Sequence, residues 1–327
     1  MRRPFATAVA VVLATSLAAC GGDDSGGSSG GGGSDEVRSI RVGVIPIVDV
    51  APIYLGKQKG FFAKRGIDLK LQQESGGAAA VPGVVSGEFK FAFGNVTSLL
   101  VAKDKGLPVK VVANGNASTG KAGADFGAVV VPKDSPIKDA ADLSGKTVAV
   151  NNLKNIGDTT VRQSVRKAGG DPNGIKFIEL AFPDMPAAVA DHKVDAAWVV
   201  EPFVSQARSQ GARVVAWNFV DTAPKLTIAT YFTSQDVMQN DSDLVKRFTA
   251  AIDQSLAYAD SHPAEVRKIL TTYTKIPPDV AQKITLPDWP TQINRQSVQT
   301  LANLALQDKL ISKPANLNEL LPSSTQT

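Results

Sequence analysis

Asp195-Ala-Ala-Trp-Val-Val-Glu-Pro-Phe203 decides how this chain is read. Its apolar run, Ala196-Ala-Trp-Val-Val200, has the composition of a buried strand. An acid and a proline follow it, Glu201 and Pro202. Proline suits the first turn of a helix, where the N–H it lacks has no intrahelical partner. The stretch therefore predicts a strand ending at Val200 and a helix running on through Phe203, Val204 and Ala207. That places Glu201 at the carboxyl end of a strand, where open α/β sheets hold their ligands.

Outward from it, the same alternation of strand, loop and helix recurs. Ile40-Arg-Val-Gly-Val-Ile45, Ile67-Asp-Leu-Lys-Leu71, Phe89-Lys-Phe-Ala-Phe93 and residues 109–113 read as strands, with helices over 51–62, 78–85 and 98–103. A second series has a turn and strand within 142–150, strands at 175–180, 196–200 and 214–215, and helices at 158–168 and 184–191. Residues 227–232 are extended and predicted to return to the first sheet, and helices follow over 243–261, 263–273, 278–284 and 296–309. Strands spaced by helices predict mainly parallel sheets with right-handed crossovers. The expected architecture is α/β: a first lobe from 39–131 plus 224–321, a second lobe from 132–223 inserted into it, and a tail at 322–327. Two crossings, near Val131 and Ala223, form a two-strand hinge suited to closing on a ligand.

The chain's 327 residues, 43% hydrophobic and 20% charged, support two such lobes. A net charge of +4 with no basic stripe argues against nucleic acid. His192 and His262 fall on predicted helices away from the loops, and the single cysteine, Cys20, leaves no disulfide framework or cysteine metal site. No nucleophile triad, zinc spacing or phosphate-cradling motif occurs, so no enzyme, metal or cofactor is expected.

At the N-terminus, Arg2-Arg3, an apolar stretch from Phe5 to Leu17, and the small residues before Cys20 form a secretory signal over 1–19. Residues 21–34, nearly all Gly, Ser and Asp, predict a flexible tether within 20–38, with a reach of roughly 20 Å. Leu17-Ala-Ala-Cys20 resembles the lipobox of bacterial lipoproteins, which implies a diacylglyceryl anchor on Cys20. An ordinary secreted protein is the alternative.

In the body, Ile45-Pro46, Asp49, Ala51-Pro52, Gly60-Phe-Phe62, Gly66-Ile-Asp-Leu69, Gly76-Gly77 and Phe93-Gly94-Asn95 appear in order. Asp142-Leu-Ser-Gly-Lys146, Asp184-Met-Pro-Ala-Ala188, Val194-Asp-Ala196 and Glu201-Pro-Phe203 continue the series. This ordered set, spanning roughly 40–232, resembles the SsuA/THI5-like (NMT1-type) solute-binding proteins of ABC importers. The resemblance implies a type II periplasmic-binding-protein fold, a ligand caught between the lobes, and delivery to a membrane permease driven by an ATPase. It also implies a monomer held outside the cytoplasm, in the periplasm or on the outer face of the cytoplasmic membrane. Family members bind sulfonates, taurine, nitrate, thiamine pyrimidine precursors and similar molecules. A resembling enzyme, fungal thiamine-pyrimidine synthase, needs a cysteine-rich iron site that this body lacks; a ligand-sensing lipoprotein is a further alternative.

The strand-end loops and helix N-termini supply the candidate ligand contacts. On the first lobe these are Asp49, Tyr54, Ser75, Gly76, Gly77, Asn95, Thr97 and Asn114; on the second, Asn151, Asn155, Gly157, Asp158 and Glu201. Phe182 and Trp198 are candidate flat walls, although Trp198 lies inside a strand and reads first as a core residue. Asp158, Ser75 and Thr97 also fit helix caps, and Asn116 and Asn152, further candidates for the cleft, fit turns. These loops carry Asp49, Glu74, Asp158 and Glu201 against only Lys154. The balance favours a neutral or amine-bearing ligand with N–H donors, such as a pyrimidine-like heterocycle, over a sulfonate or nitrate.

Overall fold

The computed structural model describes residues 37–323. The leader, Cys20 and the tether up to residue 36 lie outside them, as do the last four residues; Arg38, expected at the tether's end, instead opens the first strand. The strands are β1 (Arg38–Val44), β2 (Ile67–Gln73), β3 (Phe91–Asn95), β4 (Val109–Ala117) and β5 (Gly127–Val131). They continue with β6 (Thr147–Val150), β7 (Lys176–Glu179), β8 (Ala196–Val200), β9 (Arg213–Ala216) and β10 (Thr227–Ser234). Among the described residues they form two five-stranded sheets, ordered β2-β1-β3-β10-β4 and β7-β6-β8-β5-β9.

The sheets repeat one plan. In the first, β1 pairs in parallel with β2 and β3, and only β10 runs against its neighbours. In the second, β6 pairs in parallel with β7 and β8, and only β5 runs against its neighbours. Each reversed strand is the one that has just arrived from the other lobe. The expectation of mainly parallel sheets thus becomes two mixed sheets, each with one incoming antiparallel strand near the edge.

That plan moves one boundary. Residues 127–131, expected in the first lobe, are β5 and pair within the second sheet. The first crossing therefore runs over 118–126, not near Val131. The second, expected near Ala223, runs over 217–226. Ser118 N–H donates to Leu226 O at 2.9 Å, so the two crossings hold each other. Asp125 braces the first by accepting from Ser118 Oγ (2.6 Å), Thr119 N–H and Phe126 N–H.

Predicted helices recur with shifted ends. Asp49 lies in a 3₁₀ turn, Val48–Val50, that leads into the helix Ala51–Gln58. The second-lobe helix starts at Ile156, two residues before the expected start, because Asn155 caps it. The stretch 109–113 extends to Ala117, since its partner β10 is long enough to pair with it throughout. Asn114 and Asn116 therefore stand in a strand, not in a loop.

The first lobe's core is anchored by Phe91 stacked on Phe248 of the helix Ser242–Ser261, with ring centroids 3.8 Å apart. Full burial of such a side chain contributes about 1.5–3 kcal/mol. Among the described residues no helix is long and apolar enough to cross a membrane.

Candidate functional site: an enclosed cavity between two sheets

The carboxyl ends of β1 and β3 face those of β6 and β8. Between them lies an enclosed cavity of about 20 Å³, roughly the room of one water. The first lobe contributes Ile45, Ile47, Asp49, Phe93, Asn95, Ile228 and Ala229; the second contributes Asn151, Ile156, Phe182, Trp198 and Val200. A larger hollow of about 490 Å³, lined by Lys225, Asp260, Asp288 and Gln292 among others, lies beside the β4 end. It draws nothing from the second sheet and lacks the two-sided enclosure of the first.

Asp49 is the ionisable group of the enclosed cavity. It is only 2% exposed. Asn116 Nδ2 donates to its Oδ2 at 2.7 Å, while its Oδ1 has no hydrogen-bond partner within the protein. Burial raises its carboxyl from 3.8 to about 7, against the lowering effect of the Asn116 bond. Opposite, Trp198 Nε1–H is also buried without a partner. The Trp198 ring meets Phe182 edge to face, with centroids 5.3 Å apart. No Lys or Arg lines the cavity. Its polar equipment is the Asn95 and Asn151 amides, engaged in interlobe bonds, together with one carboxylate oxygen and one indole N–H that lack partners.

Asp49, Asn95, Asn151, Phe182 and Trp198 thus line one cavity. Two of these, and several other candidates, also join the lobes. Asn151 Nδ2 donates across the gap to Ser75 O at 2.9 Å. Asn95 Oδ1 caps its own helix through Ser98 N–H and also accepts from Ile156 N–H of the other lobe at 3.3 Å. Thr159 Oγ1 reaches Thr97 Oγ1 at 3.4 Å. Gly76 lets the first lobe approach Asn151 and Asn152, and Gly157 makes room for the Trp198 ring. Gly77 packs within the first lobe, where a Cβ would stand 2.7 Å from Gly94 Cα.

The remaining candidates do not reach the cavity. Tyr54 stacks on Tyr273, centroids 3.9 Å apart, and the Ser75 side chain is exposed. Asn114 Nδ2 ties down the C-terminal segment through Pro290 O (2.6 Å) and Gln292 O. Asn155 Oδ1 caps its helix at Gly157 and Asp158, taking the role expected of Asp158. Asp158 instead accepts from Lys154 N–H, and burial raises its carboxyl to about 6. Glu201 is the main correction. Its carboxylate accepts from Ser205 N–H (3.0 Å), Ser205 Oγ–H (2.7 Å) and Thr285 N–H (3.2 Å), so its oxygens are occupied by protein donors. His192 lies beside Asp134 and His262 stacks on Tyr258, both away from the cavity.

Two further residues shape the site. Asn116, a cleft candidate that also fitted a turn, orients Asp49, and Trp289, not singled out as a contact, donates Nε1–H to Asp49 O at 3.2 Å. The one local signal for the first was an asparagine pair, Asn114 and Asn116, in an otherwise apolar run.

A family model described as NMT1/THI5 like matches residues 47–266. The chain is 44% identical over 52 residues to the bicarbonate-binding protein CmpA of Synechococcus elongatus, a stretch covering 16% of this chain and only 12% of that protein. It is 23% identical over 273 residues to the putative binding protein YtlA of Bacillus subtilis, covering 81% and 76% of the two chains. It is 20% identical over 225 residues to the formylaminopyrimidine-binding protein of Halalkalibacterium halodurans, covering 67% and 65%. A ligand-binding component of an ABC-type import system from Staphylococcus aureus superposes with a TM-score of 0.76 at 16% identity, covering 88% of this chain and 97% of that one. The alkanesulfonate-binding protein SsuA from Xanthomonas axonopodis pv. citri gives 0.74 at 18%, covering 88% and 99%. These likenesses establish the fold as that of the periplasmic binding proteins.

Proposed function

The chain belongs to the NMT1/THI5-like family, and from that membership we propose that it is the extracytoplasmic solute-binding component of an ABC importer. It captures a small polar molecule between its lobes and passes it to a permease coupled to an ATPase. It acts as a monomeric binder, not an enzyme, and a lipid on Cys20 keeps it at the membrane. Curated relatives named as binding proteins support the coarse reading.

The ligand is neutral and carries an N–H donor, as an aminopyrimidine does. The observation that carries this is that two residues lining one cavity each hold a buried, unpartnered atom: Asp49 Oδ1 and Trp198 Nε1. An exocyclic amine would satisfy the carboxylate and a ring nitrogen would satisfy the indole N–H. Leaving such groups unpaired costs about 1–3 kcal/mol each, so a ligand matching both gains specificity as well as affinity. A sulfonate or nitrate would instead meet Asp49 with no Lys or Arg to offset it.

Room for one water does not admit a heterocycle, so the ligand enters with the lobes apart. The crossings at 118–126 and 217–226 act as the hinge. Calorimetric titration with aminopyrimidines, and separately with taurine, nitrate and bicarbonate, tests the assignment. Binding is expected in the first set. Binding of an anion alone, with no heat from the heterocycles, overturns it.

A further inference from the structure

Glu201 stands at the end of β8 with its carboxylate turned away from the cavity. The carboxylate engages both lobes at once. Ser205 N–H and Ser205 Oγ–H come from its own helix, Phe203–Ser209, and Thr285 N–H comes from the C-terminal segment that packs on the first lobe. Its backbone does the same. Glu201 N–H donates to Phe126 O in the first crossing, and Glu201 O accepts from Val48 N–H at 3.0 Å. Val48 precedes Asp49 in the same 3₁₀ turn. The segment containing Thr285 also carries Trp289, whose indole donates to Asp49 O. Glu201 therefore holds the Asp49 turn from two directions: directly at Val48, and through Thr285 and Trp289 behind it.

We infer that Glu201 is a positioning residue that registers the second lobe on the Asp49 turn as the lobes close, without touching the ligand. This rests on the reading of the chain as a two-lobed binder, and it makes the Glu-Pro-Phe stretch a closure device. When the lobes part, Glu201 keeps its bonds to Ser205 and loses those to Thr285 and Val48. Closing and ordering the Asp49 turn are then one event.

Hydrogen exchange read by mass spectrometry on the full chain, without ligand, tests this. Thr285 N–H and Ser205 Oγ–H share Oε1 of Glu201, which a glutamine oxygen would still supply, so Glu201→Ala is the variant that removes the acceptor for all three donors. Thr285→Pro deletes only the interlobe N–H, and the ψ of 150° at Ile284 suits a residue before proline. Ser205→Ala removes a bond made only within the second lobe. Exchange at 47–50 and 284–289 is expected to quicken about tenfold or more in the first two variants and to stay unchanged in Ser205→Ala. Should Glu201→Ala and Ser205→Ala both loosen only 203–209, or should Thr285→Pro leave the Val48 amide as protected as before, Glu201 is a helix cap and the inference fails. No ligand enters the measurement, so this outcome is separable from a wrong ligand assignment.

Discussion

Asp49 concentrates the chemistry of the site in one side chain, and its titration has a definite sign. Because burial raises its carboxyl to about 7, the folded state keeps a proton that the unfolded chain releases from about pH 4 upward. Stability therefore falls as pH rises between about 4 and 7 and is level above that, by up to about 4 kcal/mol. Asp49→Asn removes the titration and leaves the acceptor for Asn116. Thermal melts should show it more stable than wild type at pH 8 and similar near pH 4. A parallel pH dependence in both proteins would show that the group does not titrate this way. Binding responds with the opposite sense. An ionised carboxylate accepts an N–H better than a protonated one, so affinity for an aminopyrimidine should rise from about pH 6 through 7 and flatten above about 8. An anionic ligand would lose affinity over the same range, so the slope alone separates the two classes. Asp49 was legible in the sequence because an acid in an apolar strand-to-helix loop calls for a donor. The partners of Glu201 were not, since Thr285 lies 84 residues away and only tertiary structure brings its N–H there.

The helix Gly77–Ser86 and the turn before it show how adjacent glycines serve different ends. Gly76 is extended, at φ 176° and ψ 173°, a conformation open to alanine, so its constraint is steric. A methyl there would overlap Asn152 Oδ1 and stand 2.7 Å from Asn151 Nδ2, both on the opposite lobe. Asn151 is held by Ser75 and Asn155, so opening the lobes is the ready relief. Gly76→Ala should fold normally, scatter X-rays as a more extended particle and bind about tenfold or more weakly. Gly77 meets Gly94 backbone inside its own lobe, which opening cannot relieve. Gly77→Ala should instead lose about 1–3 kcal/mol of stability in chemical denaturation. Similar effects from both changes would mean that Gly76 is not a closure contact. Existence and order of these elements were legible from periodicity and from Gly and Pro placement. Their ends were not: β4 runs through Asn114-Gly-Asn116 only because β10 pairs with it, and Asn155 displaces Asp158 as cap through a contact that spacing alone does not fix.

Across the whole molecule, closure is secured by charge as well as by the cavity. Arg166 of the helix Ile156–Lys167 pairs with Asp308, which follows the helix Arg295–Gln307 on the first lobe. The Asp308 side chain is 3% exposed and burial raises its carboxyl, with Arg166 and Arg162 the groups that oppose the rise. Both arginines belong to the second lobe, so Asp308 depends on closure for its counter-charges. Removing one member of a buried pair is costly because it strands the other, on the order of 3–5 kcal/mol where burial is complete. Arg166 is partly exposed and Arg162 remains, so the cost here is smaller. It falls on the closed state alone, since Asp308 regains water when the lobes part. Arg166→Ala should therefore shift the ligand-free protein towards an open form with a larger radius of gyration, leaving far-ultraviolet circular dichroism unchanged. Arg166→Ala with Asp308→Asn should recover much of the closed form, because the stranded charge is gone. An unchanged radius in the single variant, or a double variant no more closed than the single, would mean that this pair decorates the interface without holding it.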